Sequence, residues 1–182
     1  MKIVWKYIKS DYYRYYGKIS SWYKILFIAL FSTNHCFRYL FWYRLTQLNG
    51  IICKIARVMH YHYSIKYGIQ IPRSTKIGYG FYIGHGVGIV INQGTVIGNN
   101  VNISQFLSIG SNKKTPAIIG DNVYIGPNVC IVEDVKIGNG VIIGAGSVVT
   151  RDITTDCIAV GIPAKSIGRN NHPEYVHNRW IL

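Results

Sequence analysis

Isoleucine recurs at every sixth position through most of the second half of the chain. Glycine follows many of these isoleucines directly, and valine often lies four residues after them. A short fixed period is typical of a solenoid, and a six-residue period predicts a parallel β-helix of about four coils, with three hexads in each triangular coil. The predicted inward positions are Ile71, Ile77, Ile83, Ile89, Ile91, Ile97, Ile103, Ile109, Ile119, Ile125, Ile131, Ile137, Ile143 and Val149.

The apolar pattern changes on both sides of this repeat. Residues 1–66 carry apolar residues at three- and four-residue spacings, which predicts α-helices, and Asn49-Gly50 is a helix stop. We therefore predict three units: a basic, aromatic helical region at 1–66, a β-helix at 67–150, and a C-terminal cap or tail at 151–182. The tail either covers the last coil or folds along one face.

Two interruptions of the period are the places where we expect function. At the first, the register slips by two residues next to His85, the only histidine inside the repeat. Gly84 and Gly86 flank it, which lets a ligand approach the backbone closely. The second is the polar, basic loop Ser111–Pro116, which adds four residues to one hexad. The spacing suggests that both interruptions border one cleft.

The positive charge is concentrated in the helical region. The chain carries a net charge of +13, and residues 1–66 contain eleven basic residues against the single acidic residue Asp11. Three interpretations stay open. The aromatic residues pack the helices while the charges are merely solvated, or the region docks on a membrane interface rich in anionic lipid, or it binds nucleic acid. No base-reading motif supports the last, and we expect no nucleic-acid partner.

The cysteines and the start of the chain bear on location. Cys36, Cys53, Cys130 and Cys157 are widely spaced and form no CxxC pair, which favours reduced thiols over a disulfide framework or a zinc site. The N-terminus has no apolar core followed by a cleavage site, and the longest clean apolar run, 25–31, is short. We expect a cytoplasmic protein that contacts a membrane, if at all, at its inner face.

Several stretches resemble a known family. The segments IPRSTKIGYGFYIGHGVGIVINQGTVIGNNVNISQFLSIGSN, GIPAKSIG and FRYLFWYRL are similar to the left-handed β-helix acyltransferases, in the branch of the serine acetyltransferases. Within that branch they most resemble the bacterial O-acetyltransferases of capsule and exopolysaccharide gene clusters. The resemblance covers about residues 30–170. It implies a left-handed coil and a homotrimer whose intersubunit clefts hold acetyl-CoA as co-substrate, without a metal.

The resemblance also implies roles for individual residues. His85 corresponds to the catalytic histidine, and we expect Gln70 to orient its imidazole. We expect Gly84, Asn92 and Gln93 to contact the acceptor, and the N–H groups of Gly110 and Ser111 to stabilise the oxyanion. The remaining coenzyme A contacts are expected at Ser111, Asn112, Pro127, Ala145 and, for a phosphate, Lys165.

Two departures from the serine enzymes decide the acceptor that we expect. Those enzymes place aspartates at the positions of Gln70 and Gly84, and they carry a longer loop where this chain has SNKKTP. Losing these groups favours O-acetylation of a sugar hydroxyl in a surface polysaccharide or its precursor. The alternatives are a serine O-acetyltransferase of cysteine biosynthesis and a non-catalytic scaffold. A zinc carbonic anhydrase on a similar prism needs three converging histidines, and the repeat has one.

A single histidine is enough for the expected chemistry. A neutral imidazole can take the proton of a hydroxyl as its oxygen attacks a thioester, and the imidazolium can then return a proton. This route needs no covalent intermediate on the protein, so none of the cysteines is required.

Overall fold

A computed structural model of the chain describes residues 2–112 and 115–181. Lys113 and Lys114, which make the second interruption basic, lie outside the described residues. Four helices come first: α1 Lys2–Tyr16, α2 Trp22–Phe31, α3 His35–Leu45 and α4 Gly50–Tyr67. The strands of the repeat are β1 Ile69–Gln70, β2 Lys76–Ile77, β3 Tyr82–Ile83, β4 Ile89–Ile91, β5 Val96–Ile97, β6 Asn102–Ile103, β7 Ser108–Ile109, β8 Ile118–Ile119, β9 Tyr124–Ile125, β10 Cys130–Ile131, β11 Lys136–Ile137, β12 Ile142–Ile143 and β13 Val148–Val149. The chain ends with β14 Cys157–Gly161, β15 Ala164–Arg169 and a 3₁₀ turn at Pro173–Tyr175.

The short strands β1–β13 stack in parallel into three sheets, which form the faces of a triangular prism. Sheet A has the order β1-β4-β7-β10-β13, sheet B has β11-β8-β5-β2, and sheet C has β15-β14-β12-β9-β6-β3. The predicted inward residues pair in register across each sheet, for example Ile91 with Ile109 and Ile103 with Ile125. All fourteen are at most 7% exposed. The β-helix of about four coils behind a helical N-terminal region is therefore confirmed.

The valines four residues after the register positions are more deeply buried than expected. We predicted a partly buried second layer, but Val101, Val123, Val129, Val135 and Val141 are all between 0 and 2% exposed. Each lies one residue before the next strand, where the chain turns back toward the prism axis. The core is therefore continuous through the corners as well as across the faces.

The N-terminal helices dock on the first coil through buried polar contacts. The Asp11 carboxylate and the Arg44 guanidinium form two hydrogen bonds of 2.7 and 3.0 Å, and both side chains are at most 4% exposed. Asp11 also accepts the N–H of Phe81 at 2.8 Å, and Arg44 donates to the carbonyl of Ile77 at 2.8 Å. Tyr15 donates to the carbonyl of Ile83, at 2.9 Å. These bonds fix the helices against the coil that carries His85.

The C-terminal tail folds along a face. Strands β14 and β15 form an antiparallel pair at the edge of sheet C. The chain then returns over sheet C toward α1, where Trp180 donates its N–H to Asn100 Oδ1 at 2.8 Å. Arg14 in turn donates to the carbonyl of His177 at 2.8 Å. The tail therefore covers sheet C and leaves the outer face of sheet A open.

Candidate active site

His85 lies at the corner where the chain passes from sheet C to sheet A, which we call the CA edge. The pairing of Ile83 with Ile103, and of Ile125 with Ile143, stacks equivalent residues of successive coils along this edge. The resulting column is His85, Gln105, Pro127 and Ala145. Because parallel strands are spaced about 4.8 Å apart, the column is about 14 Å long. Three predicted site residues, His85, Pro127 and Ala145, therefore share one edge.

The His85 side chain is exposed at the open end of this column. Its neighbour Gly84 donates its N–H to the carbonyl of Ile103 at 2.9 Å, so the ladder continues to within one residue of the histidine. Among the described residues, neither ring nitrogen of His85 has a hydrogen-bond partner. A base must have a nitrogen free to accept a proton, and this arrangement provides one.

Residues from α3 pack directly beneath the His85 corner. A Cβ built on Gly86 would lie 2.8 Å from Ile69 Cδ1, 3.0 Å from Cys36 Sγ and 3.4 Å from His35 Nε2. A side chain at Gly86 would have to displace the Ile69 methyl and press on the Cys36 thiol, so the backbone of this corner packs closely on β1 and α3. This contact could not be predicted from the sequence, because helix α3 precedes His85 by some fifty residues and no period relates the two.

Cys36 is close to the His85 corner, but its environment keeps the thiol unreactive. Its Sγ lies 4.0 Å from the carbonyl oxygen of Gly84, and the residue is 3% exposed. Burial raises the pKa of the Cys36 thiol to about 11. The nucleophilic form of cysteine is the thiolate, so Cys36 stays protonated and inert at neutral pH. Its geometry agrees with a direct transfer that needs no acyl-cysteine.

His35 and Tyr67 form a second group beside His85 that the sequence did not reveal. Their ring centroids are 4.8 Å apart, and Tyr67 stacks in parallel on Tyr63 at 5.6 Å. Arg38 lies over the Tyr63 ring, with its guanidinium carbon 5.8 Å from the centroid. The corner that carries His85 is thus bordered by His35, whose ring begins a row of half-buried aromatic side chains that ends under Arg38.

A cleft of about 370 Å³ opens beside the far half of the CA edge. Pro127 and Ala145, both predicted to contact coenzyme A, line it together with Val160 of β14 and the tail residues His172 and Tyr175. Gly126 and Gly144 also line the cleft, and because they have no side chain they leave its bottom open. The cleft continues the line of the column away from His85.

Lys165 lies on β15, the strand next to β14, just beyond this cleft. It pairs with Val160 across the β14–β15 ladder, and Val160 in turn lies against Gly144, whose Cβ would be 2.7 Å from Val160 Cγ1. The Lys165 side chain is exposed. An ammonium group at this end of the edge can meet a phosphate by simple charge attraction.

The remaining predicted contacts lie at a different edge. Asn92, Gln93, Gly110, Ser111 and Asn112 follow β4 and β7, at the corner from sheet A to sheet B, which we call the AB edge. Hydrogen bonds connect successive coils at this corner. Asn92 Nδ2 donates to the carbonyl of Ser111 at 3.1 Å, and the N–H of Asn112 donates to Glu133 Oε2 at 2.7 Å. Sheet A separates this group from His85. The expectation that both interruptions border one cleft is therefore wrong within a single chain.

The oxyanion role predicted for Gly110 is also wrong. Its N–H donates to the carbonyl of Ile131 at 3.0 Å as part of the ladder, so it has no hydrogen left for a ligand. An added Cβ at Gly110 would meet nothing within 4 Å, so the backbone there remains open to close approach. Contact of this corner with coenzyme A stays a prediction.

Gln70 lies on the outer face of sheet A. It pairs with Val90 in the β1–β4 ladder, and both side chains are exposed. Among the described residues no hydrogen bond joins Gln70 to the His85 ring. Its role in orienting the imidazole, like that of Gly84 in acceptor binding, stays a prediction.

A cavity elsewhere in the described chain is remote from this chemistry. It measures about 940 Å³ and lies between α1, the loop before α4 and sheet B, with Arg44, Arg73 and Lys76 in its lining. The donors of Arg44 are already used by Asp11 and by backbone carbonyls. Within residues 2–112 and 115–181, no cluster of three His, Cys, Asp or Glu side chains could hold a metal ion.

Comparison with known proteins begins with the repeat. Residues 116–151 match the family model described as bacterial transferase hexapeptide (six repeats). The serine acetyltransferase of Synechococcus elongatus is 33% identical over 121 residues, which is 64% of this chain and 49% of that protein. The serine acetyltransferase of Bacillus subtilis is 36% identical over 107 residues, 57% of this chain and 49% of that protein. The chain thus spans about half the length of these relatives.

Solved structures extend the likeness to the helices. A crystal structure of Neisseria gonorrhoeae serine acetyltransferase superposes with a TM-score of 0.74 and 27% identity, over 93% of this chain and 67% of that one. The same enzyme in complex with serine gives 0.73 and 26%, over 92% and 70%. The chain is therefore similar to serine acetyltransferases across its helices and its repeat, and its fold is the left-handed parallel β-helix of the hexapeptide-repeat transferases.

Proposed function

We propose that this protein is an acetyl-CoA-dependent O-acetyltransferase with His85 as its general base. The observation that carries the proposal is the CA edge, where an exposed histidine with free ring nitrogens heads a column that leads past the cleft at Pro127 and Ala145 to Lys165. An extended thioester lying along this column would place its acyl group at His85 and its phosphates near Lys165. The relatives' names support acetyl transfer to a hydroxyl group.

The reaction follows from the position of the imidazole. A ring nitrogen of His85 accepts the proton of the acceptor hydroxyl while the oxygen forms a bond to the thioester carbonyl carbon. The carbon–sulfur bond of the tetrahedral intermediate then breaks, and the sulfur leaves with the electron pair. The imidazolium returns its proton to the thiolate, which gives free coenzyme A and the acetyl ester. General-base help of this kind contributes about 10²–10⁴-fold, and positioning along the edge supplies much of the rest.

Serine is the acceptor that the comparisons favour. The curated relatives and the superposable structures above are serine acetyltransferases, and none of these names refers to a polysaccharide. Our expectation of a capsule or exopolysaccharide acceptor has no support from them. Free serine is therefore the first acceptor to test.

A specific observation favours a second candidate, a sugar hydroxyl. Binding the ammonium group of serine calls for a nearby carboxylate. In the described part of the chain, Asp11 is buried against Arg44, and the other acidic side chains lie away from the His85 corner, at other corners or on the tail: Asp121, Glu133, Asp134, Asp152, Asp156 and Glu174. What does border His85 is the aromatic pair His35 and Tyr67. Within its own chain, that surrounding suits an acceptor without a positive charge, and a carboxylate for serine would have to come from a neighbouring chain.

We also propose that the active form is a homotrimer. One chain offers the base at the CA edge and the Asn92–Ser111 contact at the AB edge, on opposite sides of sheet A. Cyclic packing of prisms, with the CA edge of one chain against the AB edge of the next, would bring both groups to one cleft. In such a cleft, the neighbouring chain could supply the hydrogen-bond partner and the carboxylate that the His85 corner lacks in its own chain.

The experiment measures coenzyme A release from acetyl-CoA in the presence of serine in one arm and of free or nucleotide-linked sugars in the other. With the preferred acceptor, we expect His85→Ala to lower kcat by about 10²–10⁴-fold. Cys36→Ala and His62→Ala are the matched controls, a buried thiol beside the site and an exposed histidine on α4, and both should keep wild-type turnover. A His85→Ala variant with unchanged turnover on every active acceptor would refute the proposal.

A further inference from the structure

Helix α4 turns its apolar side outward. Cys53, Ala56 and His60 face the protein and are 0 to 7% exposed. The opposite side carries Ile51, Ile55, Val58 and Ile65, which are 50 to 68% exposed. In a helix that packs on a core, the apolar stripe faces inward and the polar residues face out. We call these four side chains the α4 stripe.

The α4 stripe is a continuous surface and not a set of isolated residues. Its members are spaced four, three and seven residues apart, so they lie along one line from Ile51 to Ile65, about 21 Å of the helix. Exposed apolar residues scattered singly need no explanation, but a contiguous exposed stripe of this length marks an interaction site. Helix α2 adds exposed apolar residues of its own, with Tyr23, Phe27 and Phe31 between 56 and 70% exposed.

The charges beside the stripe are all positive. Lys54, Arg57 and Lys66 are exposed on α4, and the helix contains no acidic residue. The single acid of the helical region, Asp11, is 1% exposed and paired with Arg44. A second copy laid on the same face would bring like charges together. An anionic lipid surface instead complements both the charge and the apolar stripe.

We propose that α4 docks this protein on a membrane surface that contains anionic lipid. The stripe would enter the boundary between headgroups and acyl chains while the basic side chains contact the headgroups. Within the described residues, no helix combines the length and the apolar character needed to cross a bilayer, so the attachment is peripheral. Because the last residue of α4, Tyr67, contacts His35 next to the His85 corner, docking would bring that corner close to the bilayer.

The test is co-sedimentation of the full chain with vesicles. We expect binding to phosphatidylcholine vesicles that contain phosphatidylglycerol, weaker binding to phosphatidylcholine alone, and loss of binding at high salt. The double variant Ile55→Glu, Val58→Glu should lower the partition coefficient by at least about tenfold, and Lys54→Gln should lower it about fivefold. Ile167→Glu in β15 is the matched control, because Ile167 is 66% exposed and lies outside the helical region; it should bind like the wild type.

Two further measurements keep the outcome decisive. Circular dichroism should show the same helix content in all variants, since the substituted positions are exposed. Light scattering without vesicles should show the same oligomeric state.

Equal vesicle binding by the double variant and the wild type would overturn the proposal. So would a change in its oligomeric state with vesicle binding retained, because the stripe would then be a contact between copies of the chain. Neither outcome depends on acetyl transfer, which is measured separately in solution.

Discussion

Acidification should destabilise this protein through His60, which is buried in α4. Its Nε2 lies 2.9 Å from the hydroxyl of Tyr39, and that hydroxyl also accepts the N–H of Ile71 at 3.3 Å. The residue is 7% exposed, and burial, assisted by the charge of Arg73, lowers its pKa to about 4. Protonation in the folded state would place an unsolvated charge at the joint between α4 and the first coil.

The size of the effect follows from linkage. The unfolded chain binds a proton at His60 with a pKa of about 6.5, whereas the folded chain does so at about 4. Stability is therefore full above about pH 6.5 and is lost as the pH falls toward 4, because over that window the unfolded state binds more protons. Between pH 7.5 and 5.5 the loss amounts to about 1.3 kcal/mol, which corresponds to a fall in Tm of about 3–5 °C for a chain of this size.

The assay compares urea unfolding at pH 7.5 and 5.5 for the wild type and for His60→Gln, which removes the titrating group and keeps a polar one. We expect the variant to lose about 1.3 kcal/mol less than the wild type over this interval. His62→Gln is the matched control, because His62 is exposed on the same helix and should leave the wild-type pH dependence intact. If the wild type and His60→Gln show the same pH dependence, His60 is not the buried neutral group described above.

Two stability predictions concern the repeat and its helical cap. Gly98→Ala should cost about 1–3 kcal/mol in urea unfolding, because the new Cβ would lie 2.6 Å from the backbone carbonyl of the glycine one coil on. Gly110→Ala, where the Cβ meets nothing within 4 Å, should stay within about 1 kcal/mol of the wild type, and equal losses at both would contradict the steric argument. Asp11→Asn should cost about 3–5 kcal/mol by leaving the buried Arg44 charge uncompensated, and an unchanged midpoint would show that the pair is not the anchor.

The repeat could be predicted from sequence because its physics is local. Each hexad buries its own isoleucine, so a residue such as Ile97 or Ile131 finds its place from its distance along the chain alone. The packing of His35 and Cys36 under Gly86 has no such rule. It depends on how α3 docks on the first coil, and that docking is set by buried polar contacts between residues that are far apart in sequence. The surroundings of the candidate base were therefore beyond sequence reasoning, although the base itself was not.

The wrong prediction that both interruptions border one cleft, in contrast, could have been avoided by counting the residues in each coil. Val90 pairs with Ser108, which sets a regular coil at 18 residues, and the slip near His85 lengthens the first coil to 20, from Ile69 to Ile89. One turn after His85 is therefore Gln105, and Ser111 lies a further hexad on, at the next corner of the triangle. A residue returns to the same edge only after a whole coil, so an offset of one coil and one hexad always crosses a face. That face is sheet A, and any site that uses both interruptions has to be built from two chains.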